Sequence, residues 1–321
     1  MSKPKVYITR KIPDKLLHPY MNDIDFRMWE KEGEPVPRDV LLEEVKDADG
    51  LISMLSDAID QELLNHATRL KISANLAVGF DNIDIEAAKE KEVIITNTPD
   101  VLTETTADLG FALLMATARR IVEANKYIKN DQWKNWAPYL LAGSDIHHKT
   151  IGIVGMGRIG EAIARRARGF GMSVLYHNRS RKHKAEEELQ AVYTDFDNLL
   201  SEADFVVSVV PLSSETHKMF DASAFKKMKA TGIFINISRG ATVDEEALFE
   251  ALKTKQITAA GLDVFVEEPI RKDHPLMTLD NAVCLPHIGS ASEETRTAML
   301  ELCLENIVSV LNGGKPKTPV E

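Results

Sequence analysis

The stretch that most constrains this chain is Lys149–Gly160 (KTIGIVGMGRIG), where a short β-branched run stops at a group of glycines and continues at helical spacing through Glu161–Arg168. This reads as a strand, a tight turn and a helix start, with Gly155, Gly157 and Gly160 at the G-x-G-x-x-G positions and Arg158 and Ile159 inside the turn. One glycine turns the chain, one lets backbone N–H groups approach a pyrophosphate, and one lets helix pack on strand. Phosphates are then expected at the helix N-terminus, where N–H groups without carbonyl partners and the macrodipole favour negative charge. The pattern alone also fits an ordinary β–α turn. The legible strand before it and helix after it favour the dinucleotide reading.

Alternating strands and helices surround this turn. Val6–Ile8, Phe26–Trp29, Gly50–Leu55, Leu70–Leu76 and Val93–Thr96 read as strands. Asp14–Met21, Asp39–Lys46, Asp60–His66 and a segment capped near Asn82 or Asp84 read as the helices among them. Thr103–Asn130 follows as one long, densely apolar helical pattern, expected to pack between domains or subunits, and Pro138 and Gly143 interrupt the segment after it. A second series has strands at Ile151–Val154, Ser173–His177, Phe205–Val210, Ile233–Ile237, Ala259–Leu262 and Ala282–Leu285, and a last helix at Glu293–Leu311. Alternation of this kind implies α/β architecture with parallel sheets covered on both faces. A length of 321 residues suits about two domains. We expect a Rossmann dinucleotide-binding domain over 100–289, inserted into a flavodoxin-like substrate domain made of 1–99 and 290–321.

A formal charge of −10 argues against a nucleic-acid or anionic-membrane partner, which needs a basic face. Cys284 and Cys303 sit among apolar neighbours and read as buried free thiols, not as a disulfide framework or metal site. His147 and His148 are adjacent and cannot share a helix face as a metal pair, so no metal is expected. There is no apolar leader near Met1 and no run of about 18 apolar residues. A cytoplasmic location is expected.

In dinucleotide folds an acidic residue about 20 positions past the glycines bonds the adenosine ribose. Here the corresponding strand ends at Asn178, followed by Arg179, Ser180, Arg181 and Lys182. A neutral side chain removes repulsion toward a 2′-phosphate, and the cations and hydroxyl beside it can bind one. The plainer reading is a solvated charged turn. The coincidence of missing acid and basic cluster favours NADPH over NADH, with NADH still possible.

Polar groups also stand just past three later strands: Arg239 in FINISRG (234–240), Asp263 and Glu268 in GLDVFVEEP (261–269), and His287 with Gly289 and Ser290 in LPHIGS (285–290). Ligands of open α/β sheets bind outside the carboxyl ends of strands, so these residues are expected to converge. Together with AVGFDNID (77–84) and TPDVLTETTAD (98–108), these blocks resemble, in order, the D-isomer-specific 2-hydroxyacid dehydrogenase family, most nearly its glyoxylate/hydroxypyruvate reductases. The resemblance spans about residues 74 to 291.

The resemblance implies reduction of small 2-oxo acids, glyoxylate to glycolate and hydroxypyruvate to D-glycerate. Arg239 would hold the carboxylate, His287 would give the proton, and Glu268 would bond the imidazole and raise its pKa. The amides of Val78 and Gly79 would complete the carboxylate site. Asp263, Ile237 and Gly289 would lie toward the cofactor, and Ser290 near the substrate. Met54 and Leu55 read either as an apolar pocket wall or as core. Trp136 reads as interface packing or, by resemblance, as a specificity residue reaching a partner subunit in a homodimer. A reductase of longer sugar acids such as 2-ketogluconate would use the same catalytic residues, and a dinucleotide-sensing corepressor-like protein would share the fold.

Overall fold

The computed structural model describes residues 3–320. The chain forms two compact units, one running up to Leu102 and resuming at Ser292, the other comprising Thr103–Ala291. The first unit opens with β1 (Lys5–Ile8), α1 (Asp14–Leu17), β2 (Asp25–Met28), α2 (Arg38–Glu44), β3 (Gly50–Ser53), α3 (Gln61–His66), β4 (Ile72–Asn75), α4 (Ile85–Glu90) and β5 (Ile94–Thr96). Its sheet is wholly parallel in the order β2-β1-β3-β4-β5, a flavodoxin-like arrangement. Strands β3 and β4 are buried along their whole length, as a parallel strand covered on both faces must be.

Local chemistry sets the ends of these elements. Asp60 and Asp84 cap α3 and α4, accepting from the N–H groups of Leu63 and Ala87. The helix expected over Asp14–Met21 stops at Leu17 and tightens into a 3₁₀ turn over His18–Tyr20, where Pro19 has no N–H to give. The strand expected to reach Leu55 ends at Ser53. There the Asp57 carboxylate takes the Met54 N–H at 2.8 Å and draws the chain into a turn.

The second unit runs α5 (Thr103–Ala118), α6 (Ile121–Lys129), β6 (Thr150–Val154), α7 (Arg158–Gly169), β7 (Ser173–His177), α8 (His183–Leu189), β8 (Val192–Tyr193), α9 (Phe196–Glu202), β9 (Phe205–Ser208), α10 (Ala222–Lys227), β10 (Ile233–Asn236), α11 (Glu245–Lys253), β11 (Ala259–Leu262) and β12 (Ala282–Cys284). The chain then returns to the first unit as α12 (Glu293–Leu311), which packs on β3 and β4. The order β12-β11-β10-β9-β6-β7-β8, parallel throughout, is the Rossmann arrangement, and its direction reverses between β6 and β9. Strand β8 adds a seventh strand to the six expected. At two residues it is too short to carry a period.

The long helix expected over Thr103–Asn130 is two helices. Gly143 crosses the end of α5 so closely that a Cβ there would lie 2.2 Å from the Ala118 carbonyl oxygen. That carbonyl accepts the Ser144 N–H at 2.8 Å, and Arg120 takes a left-handed conformation (φ 53°) that redirects the chain into α6. The dense apolar surface of α5 is met within its own unit by β10, β11 and α7.

Cys303 is buried and Cys284 half-buried, and both are free thiols. Burial raises both thiol pKa values, that of Cys284 to about 11, so neither is a nucleophile at neutral pH. Among the described residues no helix is long and apolar enough to cross a membrane, and no group of three or more His, Cys, Asp or Glu side chains is arranged to hold a metal ion.

Candidate functional site

The glycine turn between β6 and α7 fits a pyrophosphate on its own geometry. Gly155 has φ 105°, and a Cβ on it would lie 2.8 Å from the Val209 carbonyl group. A Cβ on Gly160 would come within 2.2 Å of the Gly155 carbonyl oxygen, so this glycine sets how closely α7 enters against the turn. Gly157 has nothing within 4 Å of its missing Cβ, which leaves open space above the turn. It is also the N-cap of α7 without a side-chain cap, so an anion there meets donors that no side chain has taken. Arg158 is exposed beside it, and Ile159 packs partly into the core below.

Asn178 follows the end of β7, and its amide donates to the Ser180 carbonyl at 2.9 Å, shaping the basic turn. Arg181 lies against Glu186, with bonds of 3.0 and 2.7 Å, and over the Tyr193 ring. Arg181, the Tyr176 hydroxyl and other neighbours hold the Glu186 carboxyl down at about 2, so the pair stays charged at any working pH. The Lys182 N–H donates to the Tyr176 hydroxyl at 2.7 Å. The Arg179 side chain is 84% exposed, and among the described residues the one carboxylate it reaches is Glu215, at 3.8 Å. Of the two arginines, it is the one not committed to a close carboxylate.

Adjacent strands β10, β11 and β12 carry Arg239, Glu268 and His287 beyond their carboxyl ends. The His287 ring bonds to Glu268 through Nδ1 at 2.7 Å, and the other oxygen of Glu268 accepts the Phe265 N–H at 2.8 Å. Burial acts to raise the Glu268 pKa, but the bond and charge of His287, the Phe265 amide and the Arg239 charge together lower it. Arg239 is the smallest of these influences on the carboxylate.

Close backbone approach makes this possible. A Cβ on Gly240 would lie 1.8 Å from the Phe265 carbonyl carbon, so only glycine lets the Arg239 turn press against the segment that carries Glu268. Asn236 shapes the same turn, accepting from Ser238 and donating to the Arg239 carbonyl at 3.1 Å. Arg239 itself donates to the Ser238 carbonyl at 2.9 Å. His287 has φ 53°, an uncommon backbone for a residue with a side chain, and Asp263 secures the turn that follows it. Both Asp263 oxygens are taken, by the N–H groups of Ile288 and Gly289, each at 2.8 Å. Burial raises the Asp263 pKa against the opposing effect of those bonds and of His287. Ser290 follows, half-buried, while the Ile237 side chain is turned into the core over Gly110.

Met54, Leu55, Val78 and Gly79 belong to the first unit. Met54 and Leu55 are half-buried at the end of β3, in a turn tied down by Asn82 bonds to the Met54 and Asp57 carbonyls at 3.2 and 2.9 Å. Val78 and Gly79 follow β4. Their carbonyls accept from the side chains of Asn97 at 2.8 Å and Asn75 at 2.9 Å. Trp136 is 74% exposed in the segment after α6, where Trp133 and Tyr139 are exposed as well, as is Ile128 in the last turn of α6. Sequence reasoning passed over Asn75, Asn97 and Asn236. Each stands at or just past a strand end, where an amide side chain can hold a loop peptide, and that position was the available signal.

Known proteins resemble this chain over nearly its whole length. Residues 111–289 match the family model described as D-isomer specific 2-hydroxyacid dehydrogenase, NAD binding domain. A glyoxylate reductase of Thermococcus onnurineus is 52% identical, the match covering 99% of this chain and 96% of that one. A crystal structure of a Thermus thermophilus protein superposes with a TM-score of 0.93 at 44% identity, covering 99% of this chain and 100% of that one. That of an NADPH-dependent glyoxylate/hydroxypyruvate reductase from Sinorhizobium meliloti, in complex with NADP and malonate, does so with a TM-score of 0.85 at 32% identity, covering 99% and 97%. The chain belongs to the D-isomer-specific 2-hydroxyacid dehydrogenase family. It is an oxidoreductase whose second unit binds a nicotinamide dinucleotide.

The lowered Glu268 pKa gives a signed prediction. Stability from this carboxylate is fully present above the ordinary glutamate range and is lost as pH falls through the depressed folded value. The difference in unfolding free energy between the native chain and Glu268→Gln should therefore begin to close only below about pH 4. Denaturant titrations at a series of pH values measure it, and closure already at pH 6 would contradict the bonding described.

Proposed function

We propose that this enzyme reduces glyoxylate and hydroxypyruvate to glycolate and D-glycerate, with NADPH preferred and NADH accepted. The observation that carries the reading is the bonded His287–Glu268 pair within the field of Arg239, past three adjacent strands of a dinucleotide-binding sheet. The names of the similar reductases support the substrate class. On this reading the first unit serves substrate recognition.

A 2-oxo acid needs a cation for its carboxylate and a proton for the oxygen that gains charge as the carbonyl is reduced. Arg239 of the second unit takes the carboxylate, and in the first unit the N–H groups of Val78 and Gly79 are donors suited to the same kind of anion. Glu268, fixed by the Phe265 amide, holds Nδ1 of His287 and so leaves Nε2 to deliver the proton to the substrate oxygen. Asp263 keeps the His287 turn in register through its two amide bonds. The reduced nicotinamide, when bound, supplies the hydride. Its pyrophosphate is assigned to the Gly155–Gly160 turn and its 2′-phosphate to Asn178, Arg179, Ser180 and Lys182, with Arg181 secondary because Glu186 already holds it.

The exposed apolar residues around Trp136 support a homodimer contact through this segment. Sedimentation velocity should give twice the mass of one chain, and a monomer at micromolar concentration would remove this assignment.

Steady-state assays of an oxo-acid panel with each reduced cofactor test the activity. In Arg239→Ala, kcat/KM for glyoxylate and hydroxypyruvate should fall on the order of a hundredfold or more while reduced dinucleotide still binds. In His287→Gln, kcat should fall by about 10²–10⁴. Native turnover in either variant would sink the site assignment. For cofactor choice, Arg179→Ala should erode the preference for NADPH more than Arg181→Ala does, and the reverse ranking would show that Glu186 releases its partner on binding.

A further inference from the structure

In the first unit, the loop after β4 is held by hydrogen bonds on its carbonyl side. In a trans peptide the C=O and N–H point in opposite directions, so whatever grips a carbonyl also aims the N–H behind it. The Ala77 carbonyl accepts from the Thr98 N–H at 2.9 Å, and the Val78 carbonyl accepts from Asn97 Nδ2 at 2.8 Å. Both grips come from the chain just past β5. The N–H groups of Val78 and Gly79 therefore both face away from it, side by side, and neither has an acceptor among the described residues. Asn75 fixes the next peptide through the Gly79 carbonyl at 2.9 Å.

Asn97 is in turn held from a distant part of the chain. Its N–H donates to the Thr318 carbonyl at 3.3 Å, and its carbonyl accepts the Thr318 hydroxyl at 2.7 Å. The same hydroxyl accepts from Asn306 Nδ2 at 3.0 Å. Asn306, wholly buried on α12, also donates to the Leu302 carbonyl at 2.8 Å and accepts the N–H groups of Lys317 at 2.7 Å and Thr318 at 3.1 Å. All four hydrogen-bonding positions of its amide are filled, so the network has one arrangement and resists distortion.

We propose that Asn97, clamped by Thr318 and Asn306, is a positioning residue that aims the N–H groups of Val78 and Gly79 at the carboxylate of the oxo acid. This rests on the reading that those two amides bind the carboxylate. Without the Asn97 bond, the peptide between Val78 and Gly79 is free to flip, because glycine accepts either backbone hand at little cost. A flipped peptide presents a carbonyl oxygen to the substrate anion in place of a donor. A bond that served only to pack the tail against β5 would leave substrate affinity alone.

Steady-state kinetics on the full-length protein with glyoxylate test this, using Asn97→Ala, Asn97→Asp, Thr318→Val and Thr318→Ser. KM for glyoxylate should rise about tenfold in both Asn97 variants, since Asp keeps the shape but loses the donor. It should rise severalfold in Thr318→Val and stay native in Thr318→Ser, which keeps the hydroxyl. In all four, kcat and the KM for reduced dinucleotide should remain within about twofold of native. A native KM in both Asn97 variants, or a lowered melting temperature as the sole change, overturns the proposal. Gly79→Pro, which deletes one N–H, tests the underlying reading separately. If it raises KM while the Asn97 variants do not, the amide pair stands and the positioning role falls. If it folds and leaves KM native, the amide pair and the proposal fall together.

Discussion

A strand that runs parallel to its neighbour can rejoin the sheet only through a crossover, so all the carboxyl ends of a parallel sheet emerge along one edge. Both units of this chain obey that constraint without exception among the described strands. It explains why residues far apart in sequence, such as Arg239 and His287, end up at the same edge of one sheet, past strands separated only by β11. The helices between them are spacers that cover the faces. What varies at the edge is the loop chemistry, and there the molecule has placed its charge, its imidazole and the amides of its loops.

The edge loops are kept in place by backbone groups more than by packing. Glu268 commits one oxygen to a main-chain N–H and the other to His287. Asp263 commits both of its oxygens to the N–H groups that follow His287. Asn236, Asn75 and Asn97 each grip a loop carbonyl. A hydrogen bond of this kind has a preferred geometry, whereas an apolar contact tolerates sliding, and a catalytic group must be held to within a fraction of an ångström. Glycines serve the same end differently. Gly240 and Gly160 let two backbones touch where any side chain would hold them apart.

The strands were largely legible because a buried parallel strand must be a short, continuous apolar run, and such runs stand out between turn residues. Where the reading slipped, a local or distant bond had intervened. Pro19 cut α1 short, Asp57 ended β3 early, and the crossing of Gly143 and Ser144 over Ala118 split one expected helix into two. The basic turn after β7 was visible as a run of cations. That Glu186 occupies Arg181 and leaves Arg179 exposed depends on how α8 folds back over the turn.

By itself the sequence determined the two parallel sheets, the glycine turn and the identities of the residues past the strand ends, because periodicity, turn chemistry and motif order are local properties of the chain. Only the tertiary structure decided which of those residues meet and which way their peptides point. The Thr318 hydroxyl and the Asn97 carbonyl are 221 positions apart, and nothing local to either announces the other. A hydrogen bond needs its partner at about 3 Å, and only the folded backbone sets that distance.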